Sequence, residues 1–209
     1  MGHPAPRLTP RVTVPRVTIL GYQIPNFTYP GVGPDGLFEV VARQAEAADR
    51  SGFDTVMVMD HFFQLPMLGP PEHYMLECYS LLAALAGRTQ RCRLGALVTG
   101  NTYRNPAMLA KTVTTLDIVS GGRAQLGIGA GWFEREHAAY GFPFPPKRFG
   151  LLTEQLEIVT GLWSTPVGET FSYAGDHYTL TDSPALPKPV QSPRPPICPP
   201  SIRPITPSS

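Results

Sequence analysis

The chain has 209 residues, 42% of them apolar and 16% charged, with a formal net charge of +1. That is enough apolar material to bury a core in one or two domains. The near-zero charge offers no basic field for nucleic acid, and no apolar run reaches the ~20 residues of a membrane-spanning helix.

Residues 1–16 hold four prolines and no apolar stretch, so they read as a loose N-terminal arm rather than a secretory signal. Val17 to Tyr22 (VTILGY) then reads as a buried strand. After the turn-rich PNFTYPGVGPDG, a helical stripe places Leu37, Val40, Val41, Ala45 and Ala48 on one face. Asp35 can cap its first turn, and Gly52 suits its end, where a left-handed residue is needed. Thr55 to Met59 (TVMVM) is the second strand, Tyr79 to Leu85 opens a second helix, and Arg93 to Val98 (RLGALV) is the third strand. Asn105-Pro106 pairs a capping residue with a proline at the first helical position, and the helix runs to the stop Ser120 to Arg123. Ala124 to Gly129 (AQLGIG) is the fourth strand, and Leu151, Leu152, Gln155, Leu156, Val159 and Leu162 form the last helical stripe.

Four β-then-α units in succession predict parallel strands, neighbours in sequence order, with right-handed helical crossovers. Two α/β folds are built this way, the doubly wound sheet and the (β/α)₈ barrel, and both bind ligands at the C-terminal ends of their strands. A dinucleotide fingerprint would place GxGxxG after the first strand. Here the glycines 127, 129 and 131 follow the fourth strand as GxGxG, which reads better as a strand crowded from inside a barrel.

Strand ends therefore supply the candidates. Asp60-His61 ends the second strand, where a polar pair is costly unless bonded or used. A histidine titrating near neutrality suits proton transfer during alcohol oxidation or carbonyl reduction. Thr99, Gly100 and Asn101 suggest a bulge after the third strand. Arg104 reads as a solvated loop arginine. Glu134, Glu136 and His137 open a short helix over the mouth. Acidic residues there suit the helix dipole, and Glu134 is carried as a catalytic candidate beside His61. Cys78, Cys92 and Cys198 are odd in number and lack CxxC or CxxH spacing, which argues against disulfides or zinc and fits a reducing cytoplasm.

Taken together, IPNF, TVMVMDHF, LGALVTGNTYRNPAMLAKTVTTLDIVSGGRAQLGIGAGWFEREHAAYGFPFPP and FSYAGDHYTLTDSPALPKPVQ resemble the luciferase-like monooxygenase family, in particular its branch that uses the deazaflavin coenzyme F420. The resemblance implies a (β/α)₈ barrel, commonly dimeric. It implies hydride transfer between the deazaflavin and a small organic substrate, or, in FMN-using relatives, oxygenation. It places Asp60 and His61 against the cofactor ring, with His61 as acid/base. It places a non-prolyl cis peptide bond around Leu97, Val98 and Thr99, and Gly129, Ala130 and Gly131 along the pocket edge. Where sugar-phosphate dehydrogenase relatives carry an active-site glutamate, this chain has Trp132.

A full barrel needs roughly 250 residues. The expected organisation is a partial barrel over 17–183, about four β/α units plus a hairpin over Phe171 to Leu180. Ten prolines between Pro184 and Ser209 predict an extended or disordered tail without a central strand. The resemblance makes coenzyme F420 the expected cofactor, with FMN as the alternative, and the site is expected to be weakened by the missing strands. A non-catalytic fragment or interaction module is the reading from another class. An open sheet face favours self-association, as a homodimer or otherwise, and neither nucleic acid nor membrane is expected as a partner.

Overall fold

A computed structural model describes residues 19–198. Its main sheet begins with β1 (Gly21–Ile24), β2 (Thr55–Val58) and β3 (Arg93–Ala96), followed by the two-residue β4 (Thr99–Gly100) and by β5 (Ala124–Gly129). All pairings within it are parallel, with β1 on β2, β2 on β3, and β3 on β5. The helices α1 (Pro34–Arg50), α2 (Cys78–Ala86), α3 (Pro106–Val119) and α5 (Arg148–Ser164) follow successive strands. A short α4 (Glu134–Tyr140) lies over the strand ends, and β6 (Phe171–Ala174) and β7 (Thr179–Ser183) form an antiparallel hairpin. This is the α/β architecture of a (β/α) barrel whose strands are added in chain order.

The two faces of the sheet differ because alternate side chains point to opposite sides. Val56, Val58, Leu94, Leu126 and Ile128 are buried in the core that α1, α2, α3 and α5 cover. From the other face, Gly21, Thr55, Met57, Arg93, Gln125 and Gly127 line a concave space of about 940 Å³.

Local signals account for most element ends. Asn105 accepts a hydrogen bond from the Ala107 N–H at 2.9 Å, and Pro106 occupies the first turn of α3. Gly52 has φ +87° just beyond α1, a conformation that side chains resist. Asp35 lies in the first turn of α1, but its cap residue is Gly33.

Two expectations are corrected. The first strand is shifted toward the C-terminus. Val17 and Thr18 lie outside the described residues, Ile19 and Leu20 are exposed, and the register aligns Gly21 with Thr55 and Ile24 with Val58. A short apolar run carries no register of its own; burial of Ile24 and Phe27 sets it.

The second correction concerns the proline-rich tail. β8 (Ile197–Cys198) pairs in parallel with β5, next in order around the sheet, so the barrel continues past residue 183. Proline lacks an N–H but keeps its carbonyl, and the Leu126 N–H donates to Pro196 O at 2.9 Å. The approach is held by Asp117 of α3, which accepts from the Val190 and Gln191 N–H groups at 2.7 and 3.0 Å and from Gln191 Nε2 at 2.6 Å. Residues 199–209 and the N-terminal arm lie outside the described residues. Among the described residues, no helix is long and apolar enough to cross a membrane.

Candidate functional site

The loop after β2 meets α4 across the C-terminal end of the sheet. Phe133, Glu136, His137 and Tyr140 fall three and four residues apart on α4 and its cap, so they share one face. Glu136 is fully buried there. Its Oε1 accepts from the Phe62 N–H at 2.5 Å and the Phe63 N–H at 3.4 Å. Its Oε2 meets His61 Nδ1 at 2.9 Å and also accepts from the Tyr103 hydroxyl. Burial opposes charge on Glu136, but these donors hold its carboxyl below the ordinary range. Burial, then the bond to Glu136, push the Tyr103 hydroxyl up, so it remains a donor.

His61 is the half-open member of the cluster. Its ring lies edge-on to Trp132 and Phe133, each 6.1 Å away between centroids, and Trp132 is 57% exposed at the rim. Nε2 of His61 makes no hydrogen bond among the described residues. His137 differs. Its Nδ1 must donate to Phe133 O at 2.8 Å, so Nε2 accepts from the Thr102 hydroxyl at 2.6 Å. Both nitrogens are spent and the ring is fully buried, which makes His137 a fixture of the helix.

Asp60 does not face the open mouth. It is 2% exposed and gripped by Arg104 at 2.6 and 3.0 Å, with the Gly100 N–H at 3.1 Å. Burial raises its carboxyl, while the charge and hydrogen bonds of Arg104 oppose that rise. Arg104 is thus not a solvated loop residue. Its guanidinium also binds Glu77 at 2.7 Å and sits 4.9 Å over the Tyr79 ring. The physical reason is that a carboxylate buried at a strand end requires a cation, and Arg104 supplies it.

The third-strand bulge lies on the end of β2. The Leu97 N–H donates to Val58 O at 2.8 Å, the Leu97–Val98 peptide is cis, and Thr99 is buried with its hydroxyl 2.6 Å from that of Tyr79. Leu97 and Val98 line the concave face together with Gly127. A methyl group on Gly127 would be driven into the Ala96 carbonyl, so this stretch of β5 must stay bare. Beyond it, Gly129 O accepts from the Asn101 N–H at 3.0 Å, Ala130 is half-buried, and Gly131 turns with φ +75°.

The structure therefore brings His61 together with Glu136, Tyr103 and Trp132, while Leu97, Val98 and Gly127 line the concave face of the sheet. Asp60 and Thr99 lie beneath as supports. Glu134 is exposed and outside the hydrogen-bonded cluster, so the carboxylate candidate moves two residues to Glu136. Helix phase separates the two: only Glu136 shares a face with Phe133 and Tyr140. Tyr103 carried no such signal.

Comparisons with known proteins bear on the family and the fold. A model of the luciferase-like monooxygenase family matches residues 20–205. An F420-dependent glucose-6-phosphate dehydrogenase of Amycolatopsis mediterranei is 33% identical over 162 residues, covering 76% of this chain and 46% of that protein. One of the same name from Intrasporangium calvum is 37% identical over 168 residues, covering 76% of this chain and 47% of its own length. The solved monooxygenase RslO1 from Streptomyces bottropensis is similar with a TM-score of 0.74 and 27% identity, over 87% of this chain and 53% of that one. An F420-dependent secondary alcohol dehydrogenase, at 24% identity and a TM-score of 0.71, covers 86% of this chain and 51% of its own and shares the fold. The chain spans about half the length of the curated relatives it matches.

Proposed function

Because the chain belongs to the luciferase-like monooxygenase family, we propose that it carries the acid/base part of an F420-dependent oxidoreductase site that moves a hydride between a deazaflavin and a small organic substrate. The observation that carries this reading is His61 at the C-terminal end of the sheet, with Nδ1 engaged by a carboxylate and Nε2 without a hydrogen-bond partner among the described residues.

The residues present fit a flat ring. Leu97, 40% exposed, and Val98 offer an apolar wall, and bare Gly127 adds backbone without side-chain bulk. When bound, the deazaflavin supplies the carbon that accepts or returns hydride. His61 would take the proton of a substrate hydroxyl at Nε2, or return it to a carbonyl oxygen. Trp132 and Phe133 beside the imidazole limit the water that reaches it. Asp60, through Gly100 and Arg104, and Thr99, through Tyr79, hold the bulge in place. Gly129, Ala130 and Gly131 would form the pocket edge. Of the cations lining the concave face, Arg91 and Arg93 stand at the entering ends of the strands, and Arg93 is bound to Gln191 at 2.5 Å. The anionic tail of the cofactor would thus draw little from this face, and binding by these residues alone would be weak. The sheet's open inner face favours self-association, which a size-exclusion profile reads directly.

Similarity to a monooxygenase favours a second reading, FMN-dependent oxygenation. Chemical-shift mapping with coenzyme F420 and then FMN separates the two. Shifts confined to His61, Leu97, Val98 and Gly127 to Trp132 with F420, together with no oxygen uptake, are the expected result. Tighter FMN binding with oxygen uptake favours the flavin. Silence with both cofactors at millimolar concentration leaves only the interaction-module reading.

A further inference from the structure

We propose that Glu136 and Tyr103 form a positioning pair that fixes the His61 imidazole with its hydrogen on Nδ1, leaving Nε2 as the nitrogen that exchanges protons. The inference deepens the reading of His61 as acid/base and rests on it for its meaning in catalysis, although its geometry stands alone.

A loop clamp needs only one oxygen of Glu136. Oε1 fills that role, taking the N–H groups of Phe62 and Phe63. Oε2 is surplus to it, and both of its partners are side chains, His61 Nδ1 and the Tyr103 hydroxyl. An ionised carboxylate only accepts, so Nδ1 must carry the hydrogen whenever the ring is neutral. Tyr103 in turn is wedged by aromatic contacts with Phe62, His137 and Phe142, at centroid distances of 4.8, 4.7 and 5.5 Å. Its hydroxyl is therefore aimed at Oε2 by packing and keeps the carboxylate from rotating toward the backbone. The nearby charges are otherwise occupied: Asp60 and Arg104 pair with each other, and Arg135 lies over the Phe63 ring. A carboxylate that orients a catalytic imidazole acts through the tautomer it selects, and the wrong tautomer presents N–H where a lone pair is needed.

The test is the tautomer itself, read from long-range ¹H–¹⁵N spectra of the full chain with ¹⁵N-labelled histidine in alkaline buffer. Wild type is expected to show His61 protonated at Nδ1 and bare at Nε2. A wild-type spectrum dominated by Nε2–H overturns the proposal whether or not any variant folds. In Glu136→Gln the amide oxygen can still accept from Phe62 while its NH₂ faces Nδ1, so the pattern should invert to Nε2–H. A folded Glu136→Gln that keeps Nδ1–H also overturns it. Tyr103→Phe should keep Nδ1–H as the main form and add a second, minor form; a single unchanged form removes Tyr103 from the pair. None of these spectra contains cofactor, so failure to bind F420 would sink the functional reading and leave the tautomer result standing.

Discussion

Asp49 and Glu136 stand at opposite ends of the same sheet and begin from the same device. Each is a buried carboxylate on a helix that collects the N–H groups of a loop. At the entering end of β3, Asp49 accepts from the Gln90, Arg91 and Cys92 N–H groups at 2.9, 3.0 and 2.6 Å. At the exit end Glu136 gives one oxygen to the loop after β2 and the other to a histidine and a tyrosine. At the floor both oxygens serve the backbone, so its worth is stability alone. At the mouth half of that capacity is diverted to a side chain that solvent can reach. The difference separates a carboxylate that only anchors a loop from one that also holds the histidine proposed as acid/base, and it can be broken at either end.

The largest effect is expected at the mouth. Arg104→Met strands the Asp60 carboxylate in a buried site and should cost about 3–5 kcal/mol, read as a fall in the urea midpoint. Adding Asp60→Asn should recover part of that loss, and a double variant no better than the single would show that packing, not charge, holds the bulge. At the floor, Asp49→Ala leaves three N–H groups without their acceptor and should cost about 3 kcal/mol while leaving the His61 tautomer untouched. A change in that tautomer would mean that the two ends are coupled.

Acid titration gives a smaller, shared effect. Burial opposes charge on both groups, but hydrogen bonds hold Asp49 and Glu136 below their ordinary values of 3.8 and 4.5. The native state thus binds fewer protons than the unfolded chain, so their stabilisation is complete above those values and is lost as pH falls through the lower folded ones. Asp60, raised by burial, has the opposite sign. Asp49→Asn should flatten the acid limb of stability against pH, and a limb as steep as wild type would assign it elsewhere. The smallest effect is expected at the rim. Trp132→Phe should move stability by less than about 0.5 kcal/mol yet shift the His61 ring resonances, because the two rings meet edge-on. Unmoved resonances would take Trp132 away from the imidazole.

What could be read in the sequence follows the range of the interactions involved. The α3 cap at Asn105 and the strand over Ala124 to Gly129 are legible because neighbours in the chain decide them. The position of His61 just past the end of β2 is legible because a buried apolar run stops there. Arg104 is not, since its partner Asp60 lies 44 residues away and nothing local marks the pairing. Glu134 and Glu136 are chemically alike, and helix phase against a distant loop separates them. The proline-rich approach to β8 hides a strand because its contribution there is a carbonyl, while composition speaks only of missing N–H groups.

The clasp of Asp117 on residues 190 and 191 closes a span of 73–74 residues, so its loop-closure entropy is met only when α3, β5 and the hairpin are already in place. Those two amide hydrogens therefore report on a late-docking, early-opening unit, and their exchange with solvent should reflect the opening of the growing edge rather than of the whole domain. Seen as a latch, Asp117 meters how much of the time β5 stands without its β8 neighbour, and so links one buried carboxylate to the integrity of a sheet edge.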